Sequence, residues 1–386
     1  MRIGIFTETY KPVLNGVVTS VINYTQGFRE LGHDVTIFCP TYDIKPEKEV
    51  IYVNSEKFPG KSGYEYIMPF TREIRERAKK LDIIHAHHPF MMGAKARRLA
   101  KRYKKPFIFT NHTKYEQYLH YVPVLGPLFK EGINWWLADF AKKCTLVTTP
   151  SEGMKNILLK NGFPKKSTIS VTNGVELSQF KTQISDGEKL KIRKEIGADP
   201  NDIIMIFTGR MAEEKNISFL IKAFKLINLE VENTKLLLVG SGTEEKMYKE
   251  LISNLKLQRK VLMIGQRDRE VMHRYYQASN LFTIASTSET QGLVTIEAMA
   301  AGLPAIGVIA TGTEDIIKND INGYLTQPKI KPFAKKTIEL IKNQEVMKKL
   351  SKNAPDSVDR FSILNASKKM LEAYKFASEL AKNQYK

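Results

Sequence analysis

Two cations and two carboxylates in the second half of the chain are the residues best suited to chemistry. Arg210 and Lys215 follow an apolar stretch typical of a strand, and Glu289 and Glu297 flank a loop that enters a helix at Gly292. An arginine fork and a lysine ammonium suit phosphate oxygens, and a helix N-terminus adds unpaired N–H groups and a positive dipole end. This arrangement predicts an anion site for a phosphate, with a carboxylate nearby for a sugar hydroxyl.

A plainer interpretation of the same residues stays open at this point. An ordinary strand–loop–helix unit would also contain Glu289 and Glu297, and surface cations beside Glu213 and Glu214 would need no ligand. The elements that must position these residues decide between the two interpretations.

The chain of 386 residues, 42% of them hydrophobic, is long enough for two domains with separate cores. Its first residues predict a short strand, so we expect no signal peptide, and no run of eighteen apolar residues predicts a membrane span. Cys39 and Cys144 each lie in or beside an apolar stretch, which favours reduced core residues of a cytosolic protein over a disulfide.

The basic charge is large and uneven. The formal net charge is +19, and residues 72–105 alone contain 12 Lys or Arg against 3 acidic residues, 12 − 3 = +9. Such clustering indicates a polyanionic partner, either nucleic acid or an anionic membrane, or a solvated helix face. No nucleic-acid-binding motif accompanies the charge, so we expect no nucleic acid partner.

Strands and helices alternate along both halves of the chain, which predicts two Rossmann-like, doubly wound parallel sheets. The predicted strands are 2–7, 35–39, 83–85, 107–110, 146–149 and 169–171, then 203–208, 235–239, 261–264, 281–285, 305–309 and 323–325. We expect an N-terminal domain over 1–178, a C-terminal domain over 179–365 and a final helix over 366–386 that packs back toward the first domain. Residues 176–200 are assigned to a linker and an opening helix, and 335–352 to one amphipathic helix.

His112 follows the predicted strand 107–110, so it should emerge at the carboxyl edge of the first sheet. A polar loop residue is the ordinary interpretation, and catalysis is the alternative. His85, His87 and His88 end the preceding strand, but no nearby Cys, Asp or Glu completes a metal site. We therefore expect them to line a loop near an acceptor, and we expect no metal.

Several motifs together resemble the retaining nucleotide-sugar glycosyltransferases of family 4, which have the two-domain GT-B fold. The motifs are Gly209-Arg210 with Lys215, Val239-Gly240-Ser241-Gly242, Glu289-x7-Glu297 followed by Ala298 to Pro304, the N-terminal Gly-Ile-Phe-Thr-Glu-Thr-Tyr-x-Pro-x-x-x-Gly-Val, and Asn173-Gly174-Val175-Glu176. The resemblance covers nearly the whole chain and implies two doubly wound domains that face a cleft.

The resemblance also implies roles for individual residues. Arg210 and Lys215 would bind the donor diphosphate, Glu297 the ribose hydroxyls and Glu289 the donor sugar, with His112 touching the transferred sugar. The catalytic candidates are His112, Glu289, Arg210 and Lys215. The donor-binding candidates are Gly16, Val17, Gly209, Arg210, Lys215, Gly240, Arg267, Glu289, Gly292, Leu293, Val294 and Glu297.

A pattern of tyrosines after His112 resembles the lipid-glycosylating branch, notably the diacylglycerol glucosyltransferases. Aromatic stripes at helical spacing are most often core, whereas aromatics beside basic residues also describe a membrane interface. The acceptor or membrane candidates are Tyr115, Tyr118, Tyr121, Trp135, Trp136, Lys95, Arg97, Arg98, Lys101 and Arg102. With the resemblance, these candidates predict a cytoplasmic protein associated with the inner face of the cell membrane.

The predicted reaction is transfer of a hexose from a nucleotide sugar to a lipid hydroxyl with retained anomeric configuration. Residues 289–292 and 311–314 depart from the common family wording, which leaves the donor sugar open. UDP-glucose is the first choice, ahead of UDP-galactose, UDP-N-acetylglucosamine and GDP-mannose. No D-x-D-type motif is placed to hold a metal, so no cofactor is expected. A soluble or polysaccharide acceptor and a nucleotide-sugar epimerase are the alternatives, and the oligomeric state is open.

Overall fold

A computed structural model describes residues 1–13, 15–41, 45–57, 65–115 and 130–384. The chain divides into two compact units, Met1–Gly174 with Ile363–Lys386, and Val175–Ser362. These boundaries fall within a few residues of those proposed from the sequence. We call them the N-terminal unit and the C-terminal unit.

The N-terminal unit is built on a seven-stranded parallel sheet in the order β3-β2-β1-β6-β7-β8-β9. Its strands are β1 (Arg2–Phe6), β2 (Asp34–Pro40), β3 (Val50–Val53), β6 (Ile83–Ala86), β7 (Phe107–Thr110), β8 (Leu146–Thr149) and β9 (Thr168–Ser170), with a small antiparallel pair β4 (Ser55–Lys57) and β5 (Glu65–Ile67). Its helices are α1 (Gly16–Glu30), α2 (Arg72–Lys79), α3 (Met91–Tyr103), α4 (Lys130–Lys142), α5 (Glu152–Lys160) and α14 (Ile363–Gln384).

Alternating strand residues send apolar side chains to both faces of this sheet, as its doubly wound fold requires. Ile3 and Ile5 of β1 pack with α1 and α14, whereas Phe6 packs on the opposite face with α2, α3 and α4. Both layers are continuous cores, and Cys39 and Cys144 lie in them as free, buried thiols, one in each. The predicted reduced core cysteines are confirmed.

The C-terminal unit repeats this plan with six parallel strands in the order β12-β11-β10-β13-β14-β15. The strands are β10 (Ile203–Thr208), β11 (Thr234–Val239), β12 (Val261–Met263), β13 (Leu281–Ile284), β14 (Ala305–Val308) and β15 (Gly323–Thr326). The helices are α6 (Ser178–Lys181), α7 (Asp186–Glu195), α8 (Ile217–Glu230), α9 (Glu245–Asn254), α10 (Met272–Ala278), α11 (Leu293–Ala300), α12 (Ile330–Lys342) and α13 (Gln344–Ser357). The predicted α/β class with two doubly wound sheets is confirmed.

Three details differ from the sequence prediction. The linker assigned to 176–200 contains α6 and α7 and belongs to the C-terminal unit, where the side-chain amide of Gln277 donates to the carbonyls of Phe180 and Thr182. The helix predicted over 335–352 is two helices, because Asn343 ends α12 and its side chain caps α13 by accepting from the Val346 amide at 3.1 Å. The edge strand β3 was not predicted.

In both units the strand order reverses beside the first strand, between β1 and β6 and between β10 and β13. Open parallel sheets bind ligands outside the carboxyl ends of the strands at such a reversal, since the two flanking loops run in opposite directions. The residues to examine in each unit are therefore those that follow these two strands.

Candidate active site

Arg210 lies in a loop that is packed tightly against its neighbour. A Cβ atom on Gly240 would lie 1.9 Å from the carbonyl oxygen of Gly209, and one on Gly242 would lie 2.3 Å from that of Met211. The Met211 amide donates to the carbonyl of Ser241 at 2.9 Å. Glycine at 240 and 242 thus lets the loops after β10 and β11 touch through their backbones, which fixes the segment that carries Arg210.

The two predicted cations each hold a carboxylate. The Arg210 guanidinium lies 2.7 Å from Glu214, and the Lys215 ammonium lies 2.6 Å from Glu289. Lys215 ends a short 3-10 turn, and Asn216 then takes a left-handed conformation (φ +53°) from which α8 begins. The structure therefore brings Lys215 and Glu289 together from the two loops that flank the strand reversal.

The loop after β13 is tied to the loop after β10 by further hydrogen bonds. The hydroxyls of Ser286 and Ser288 both donate to the carbonyl of Glu214, each at 3.2 Å. On the far side, a Cβ atom on Gly312 would lie 2.8 Å from Glu289, so the segment 311–314 packs directly on this loop. Thr-Gly-Thr-Glu at 311–314 accordingly keeps the glycine that the contact requires.

Gly292 begins α11 in a left-handed conformation with φ of +79°. Leu293 and Val294, both partly buried, lie in the first turn of this helix. The backbone N–H groups of a first turn have no carbonyl acceptor within the helix. The helix spans eight residues and carries Glu297 on its second turn, buried to 8% exposure. The donor-binding candidates of this segment thus share one helix beside the Lys215–Glu289 pair.

Glu297 is paired with a residue that the sequence analysis did not select. Arg269 donates to a Glu297 carboxylate oxygen at 2.8 Å, whereas the candidate Arg267 donates from its Nε to the Tyr275 hydroxyl at 3.1 Å. Burial raises the pKa of Glu297, and the Arg269 charge opposes that shift. Because 267 and 269 are both arginines in one charged segment, the sequence offered no signal to choose between them.

Gly16 and Val17 begin α1 in the N-terminal unit. Asn15 caps this helix by accepting from the Val18 amide at 2.9 Å. Among the residues that the structure describes, and leaving aside its chain neighbours and the backbone of its own helix, no heavy atom lies within 4 Å of a Cβ atom built on Gly16. Packing inside this part of the chain therefore does not require glycine there, and the approach of a ligand to the Gly16 backbone stays a prediction.

His112 follows β7 and is buried to 6% exposure. Its Nε2 lies 2.8 Å from Nδ1 of His87, and the two rings stack at 5.0 Å between centroids. Burial, with smaller contributions from neighbouring imidazoles, holds the pKa of both histidines well below the usual range. Both rings are therefore neutral at pH 7.

Of the three histidines predicted to line a loop near an acceptor, His85 lies in β6 and not in a loop, whereas His87 and His88 follow this strand as expected. Their nearness to an acceptor stays a prediction. His85 is fully buried in β6, where its ring nitrogens lie 2.7 Å from the Tyr374 hydroxyl and 2.7 Å from the Thr110 hydroxyl. His88 is also buried and accepts from the amide of Glu8 at 3.2 Å. These rings are hydrogen-bonded inside the N-terminal unit.

Glu8 is a buried carboxylate that the sequence analysis quoted in a motif but gave no role. It is only 2% exposed, and its Oε1 accepts from the Met92 amide at 2.6 Å in the first turn of α3. Burial raises the pKa of Glu8 to about 7, opposed by hydrogen bonds from Met92 and Gly93 and by the charge of Lys95. Its position directly after β1 was the available signal.

The basic and aromatic candidates lie on the face of the sheet that α2, α3 and α4 cover. Trp135 is 72% exposed, while Trp136 stacks on Phe90 at 5.8 Å, and Tyr115 meets the same ring edge-on at 5.4 Å. The cationic side chains of α3 divide into partly buried Lys95 and Arg97 and exposed Arg98, Lys101 and Arg102. Tyr118 and Tyr121 lie outside the described residues.

Within the ranges given above, no group of three or more His, Cys, Asp or Glu side chains could hold a metal ion. No helix in the same part of the chain is long and apolar enough to cross a bilayer.

Comparison with known structures agrees with the two-sheet architecture. The crystal structure of Anabaena HepE in complex with UDP superposes with a TM-score of 0.78 at 19% identity and covers 97% of this chain and 100% of the other. The protein therefore has the GT-B fold of glycosyltransferases.

The sequence comparisons place the chain within this class. Residues 188–357 match the family described as glycosyl transferases group 1, and residues 14–179 match glycosyltransferase family 4. An alpha-monoglucosyldiacylglycerol synthase of Acholeplasma laidlawii is 30% identical over 94% of both chains, and one of Streptococcus pneumoniae (strain ATCC BAA-255 / R6) is 32% identical over 79% of this chain and 70% of its own. The chain belongs to the family 4 glycosyltransferases.

The buried carboxyl of Glu8 predicts a measurable pH dependence of stability. Its pKa is about 7 in the folded protein, against an ordinary value of 4.5. The folded state therefore holds a proton more tightly than the unfolded state, so the stabilisation is complete below pH 4.5 and is lost as the pH rises to about 7. Glu8→Gln removes the charge, so we expect it to be more stable than the wild type at pH 8, by about 1–3 kcal/mol, and no more stable at pH 5.

The measurement is differential scanning calorimetry of both proteins at pH 5 and pH 8. Glu76→Gln, at an exposed position on α2, is the control, and its effect should be the same at both pH values within error. Equal effects of Glu8→Gln at the two pH values would contradict the assigned burial of a titrating carboxyl.

Proposed function

We propose that this enzyme transfers glucose from UDP-glucose to the hydroxyl of diacylglycerol, retains the anomeric configuration and forms an α-glucoside. The observation that carries the proposal is the pairing of Lys215 with Glu289 at 2.6 Å, at the strand reversal of the C-terminal unit. Arg210 and the first turn of α11 adjoin it in sequence, so cations and N–H donors for a diphosphate come with a carboxylate for sugar hydroxyls. The names of the two synthases above support glucose and diacylglycerol.

Binding of the donor is proposed as an exchange of ionic partners. Arg210 is held by Glu214 and Lys215 by Glu289, so an entering diphosphate would compete with these carboxylates for the two cations. Both diphosphate and carboxylate can occupy an arginine fork, and the higher charge of the diphosphate favours the exchange. Glu297, fixed by Arg269, is left to accept from the ribose hydroxyls.

The chemical step is proposed to be driven by electrostatic stabilisation of the leaving group. As the glycosidic bond lengthens, negative charge grows on the β-phosphate, where Arg210, Lys215 and the positive end of α11 would counter it. Because these groups already supply positive charge, we propose that no metal ion is needed. His112 of the N-terminal unit is proposed to contact the transferred sugar.

Retention is proposed to occur by attack on the same face that the phosphate leaves. A retaining hydrolase uses a carboxylate as the nucleophile. Here Glu297 is buried beside Arg269 and is proposed to accept from the ribose hydroxyls. Glu289, once the diphosphate has taken its place at Lys215, is proposed to accept from hydroxyls of the donor sugar, so neither carboxylate is left to act as a nucleophile. The departing phosphate oxygen is then the group available to take the proton of the acceptor hydroxyl.

The lipid acceptor is supported by the surface around α3. Arg98, Lys101 and Arg102 are exposed on it, and Trp135 of α4 exposes 72% of its surface on the same side of the sheet. Each Lys or Arg near an anionic bilayer contributes about 1 kcal/mol, and tryptophan suits the headgroup region. We propose that this surface holds the enzyme at the inner face of the cell membrane. A soluble or polysaccharide acceptor remains the alternative. An epimerase is not proposed, because the chain belongs to a glycosyltransferase family.

The donor site predicts different losses for two substitutions. Glu297→Ala removes the acceptor for ribose hydroxyls, so we expect UDP to bind about 10- to 100-fold more weakly by calorimetric titration. Arg210→Ala removes stabilisation of the leaving group, so we expect kcat for glucosyl transfer to fall about 100- to 1,000-fold, with a smaller change in UDP affinity. Arg259→Ala, an exposed cation before β12 at the opposite end of the sheet, is the control. Wild-type behaviour of either site variant would show that the donor site is misassigned.

The membrane surface predicts binding to vesicles that depends on charge and salt. We expect the protein to co-sediment with vesicles containing phosphatidylglycerol, to bind pure phosphatidylcholine far less, and to release from the anionic vesicles as salt is raised. Replacing Arg98, Lys101 and Arg102 by Gln should weaken binding about 100-fold, at about 1 kcal/mol for each charge.

The matched control removes three exposed lysines of α13, Lys348, Lys349 and Lys352, by the same substitution. The control should bind as the wild type does. Absence of binding to anionic vesicles would favour a soluble acceptor, and an equal loss in both triple variants would remove α3 from the proposed membrane surface.

A further inference from the structure

His112 is in contact with a second buried imidazole that no part of the proposed reaction uses. The Nδ1 of His87 lies 2.8 Å from the Nε2 of His112, and the ring planes are inclined by only 16°. His87 is fully buried. Since both rings are neutral, one nitrogen of this pair must donate and the other must accept.

The surroundings of His87 decide which ring donates. Its other nitrogen, Nε2, is buried and has no hydrogen-bond partner among the described residues. If His112 donated, His87 would carry its own proton on that nitrogen and bury an unpaired N–H. If His87 donates from Nδ1, the buried Nε2 is an unpaired acceptor, and buried acceptors without partners are less rare in proteins than buried donors without partners.

We propose that His87 is a positioning residue that donates from Nδ1 to His112 and so holds the His112 proton on Nδ1. His112 then presents an N–H donor, and the oxygen that it meets is an acceptor such as a sugar hydroxyl or a phosphate oxygen. This assignment of a ligand atom rests on the proposed function, whereas the position of the proton does not. His112 in this form cannot remove a proton through Nδ1, so it orients the substrate and is not a general base.

A chain of buried contacts holds the His87 ring in place. His85 lies against it with 4.3 Å between ring centroids, and His85 is itself fixed by the hydroxyls of Tyr374 and Thr110, each at 2.7 Å. Tyr374 belongs to α14, which crosses back to the N-terminal unit. The last helix of the chain thus contributes to the orientation of His112 through Tyr374, His85 and His87 in turn.

Nuclear magnetic resonance of the full-length protein tests the position of the proton directly. The protein has seven histidines, and with ¹⁵N-labelled histidine the two ring nitrogens of His112 are distinguished by their chemical shifts in long-range ¹H–¹⁵N spectra. Signals of His112 are those that disappear in His112→Gln. We expect a protonated Nδ1 and a bare Nε2 in the wild type at pH 7.5.

Three variants separate positioning from packing. His87→Asn keeps an N–H donor near the place of Nδ1, so the His112 shifts should stay as in the wild type. His87→Leu keeps bulk but removes the donor, so the proton should move to Nε2 or distribute over both nitrogens. Tyr374→Phe removes only the hydroxyl that fixes His85 and leaves the His87–His112 contact in place, so the His112 proton should stay on Nδ1.

Activity provides the second measurement. Glucosyl transfer by His87→Leu should lose about tenfold in kcat, the size of one hydrogen bond, and His87→Asn should recover most of it. A protonated Nε2 in the wild type, or unchanged His112 shifts in His87→Leu, would overturn the proposal. A changed proton position with unchanged kcat would overturn its role in the reaction. If no nucleotide sugar is turned over by the wild type, the proposed function fails while the spectra still decide the proton position.

Discussion

The reversal of strand order beside the first strand is the constraint on which both halves of this protein depend. In the C-terminal unit the reversal lies between the paired strands β10 and β13, so the loop carrying Arg210 and Lys215 faces the loop carrying Glu289. In the N-terminal unit the reversal lies between the paired strands β1 and β6, and the Glu8 amide there donates to His88, which follows β6. Parallel pairing forces these loops to the same edge, and the reversal opens the space between them.

Within that space the charged side chains neutralise one another. The carboxylates of Glu289 and Glu297 are largely buried, and each is paired with a cation, Lys215 and Arg269 respectively. Burial of either charge without its partner would be costly. In the proposed exchange the incoming diphosphate replaces a carboxylate, so the same cations are neutralised without a ligand and remain available to the donor. The serine and glycine contacts around Glu214 and Gly312 pack the loops of the site against each other.

Patterns that are local in sequence were sufficient for the fold. Each predicted strand of the C-terminal unit forms, because buried parallel strands are short apolar stretches between helices. What the sequence did not provide was partner identity. The Arg269 partner of Glu297 and the His87 contact of His112 were missed, and Asn343 divides a helix predicted as continuous. The His87–His112, Arg269–Glu297 and Lys215–Glu289 contacts join residues at least 25 positions apart, and periodicity carries no information about such pairs.

Formation of α-glucosyl diacylglycerol tests the central claim most directly. The full-length protein would be incubated with UDP-glucose and vesicles of diacylglycerol and phosphatidylglycerol in the presence of EDTA, and the product's anomeric proton would be read by nuclear magnetic resonance. The proposed function predicts an α-linked glucoside with undiminished rate in the chelator. A β-linked product, loss of activity in EDTA, or transfer to a soluble acceptor in place of the lipid would contradict it.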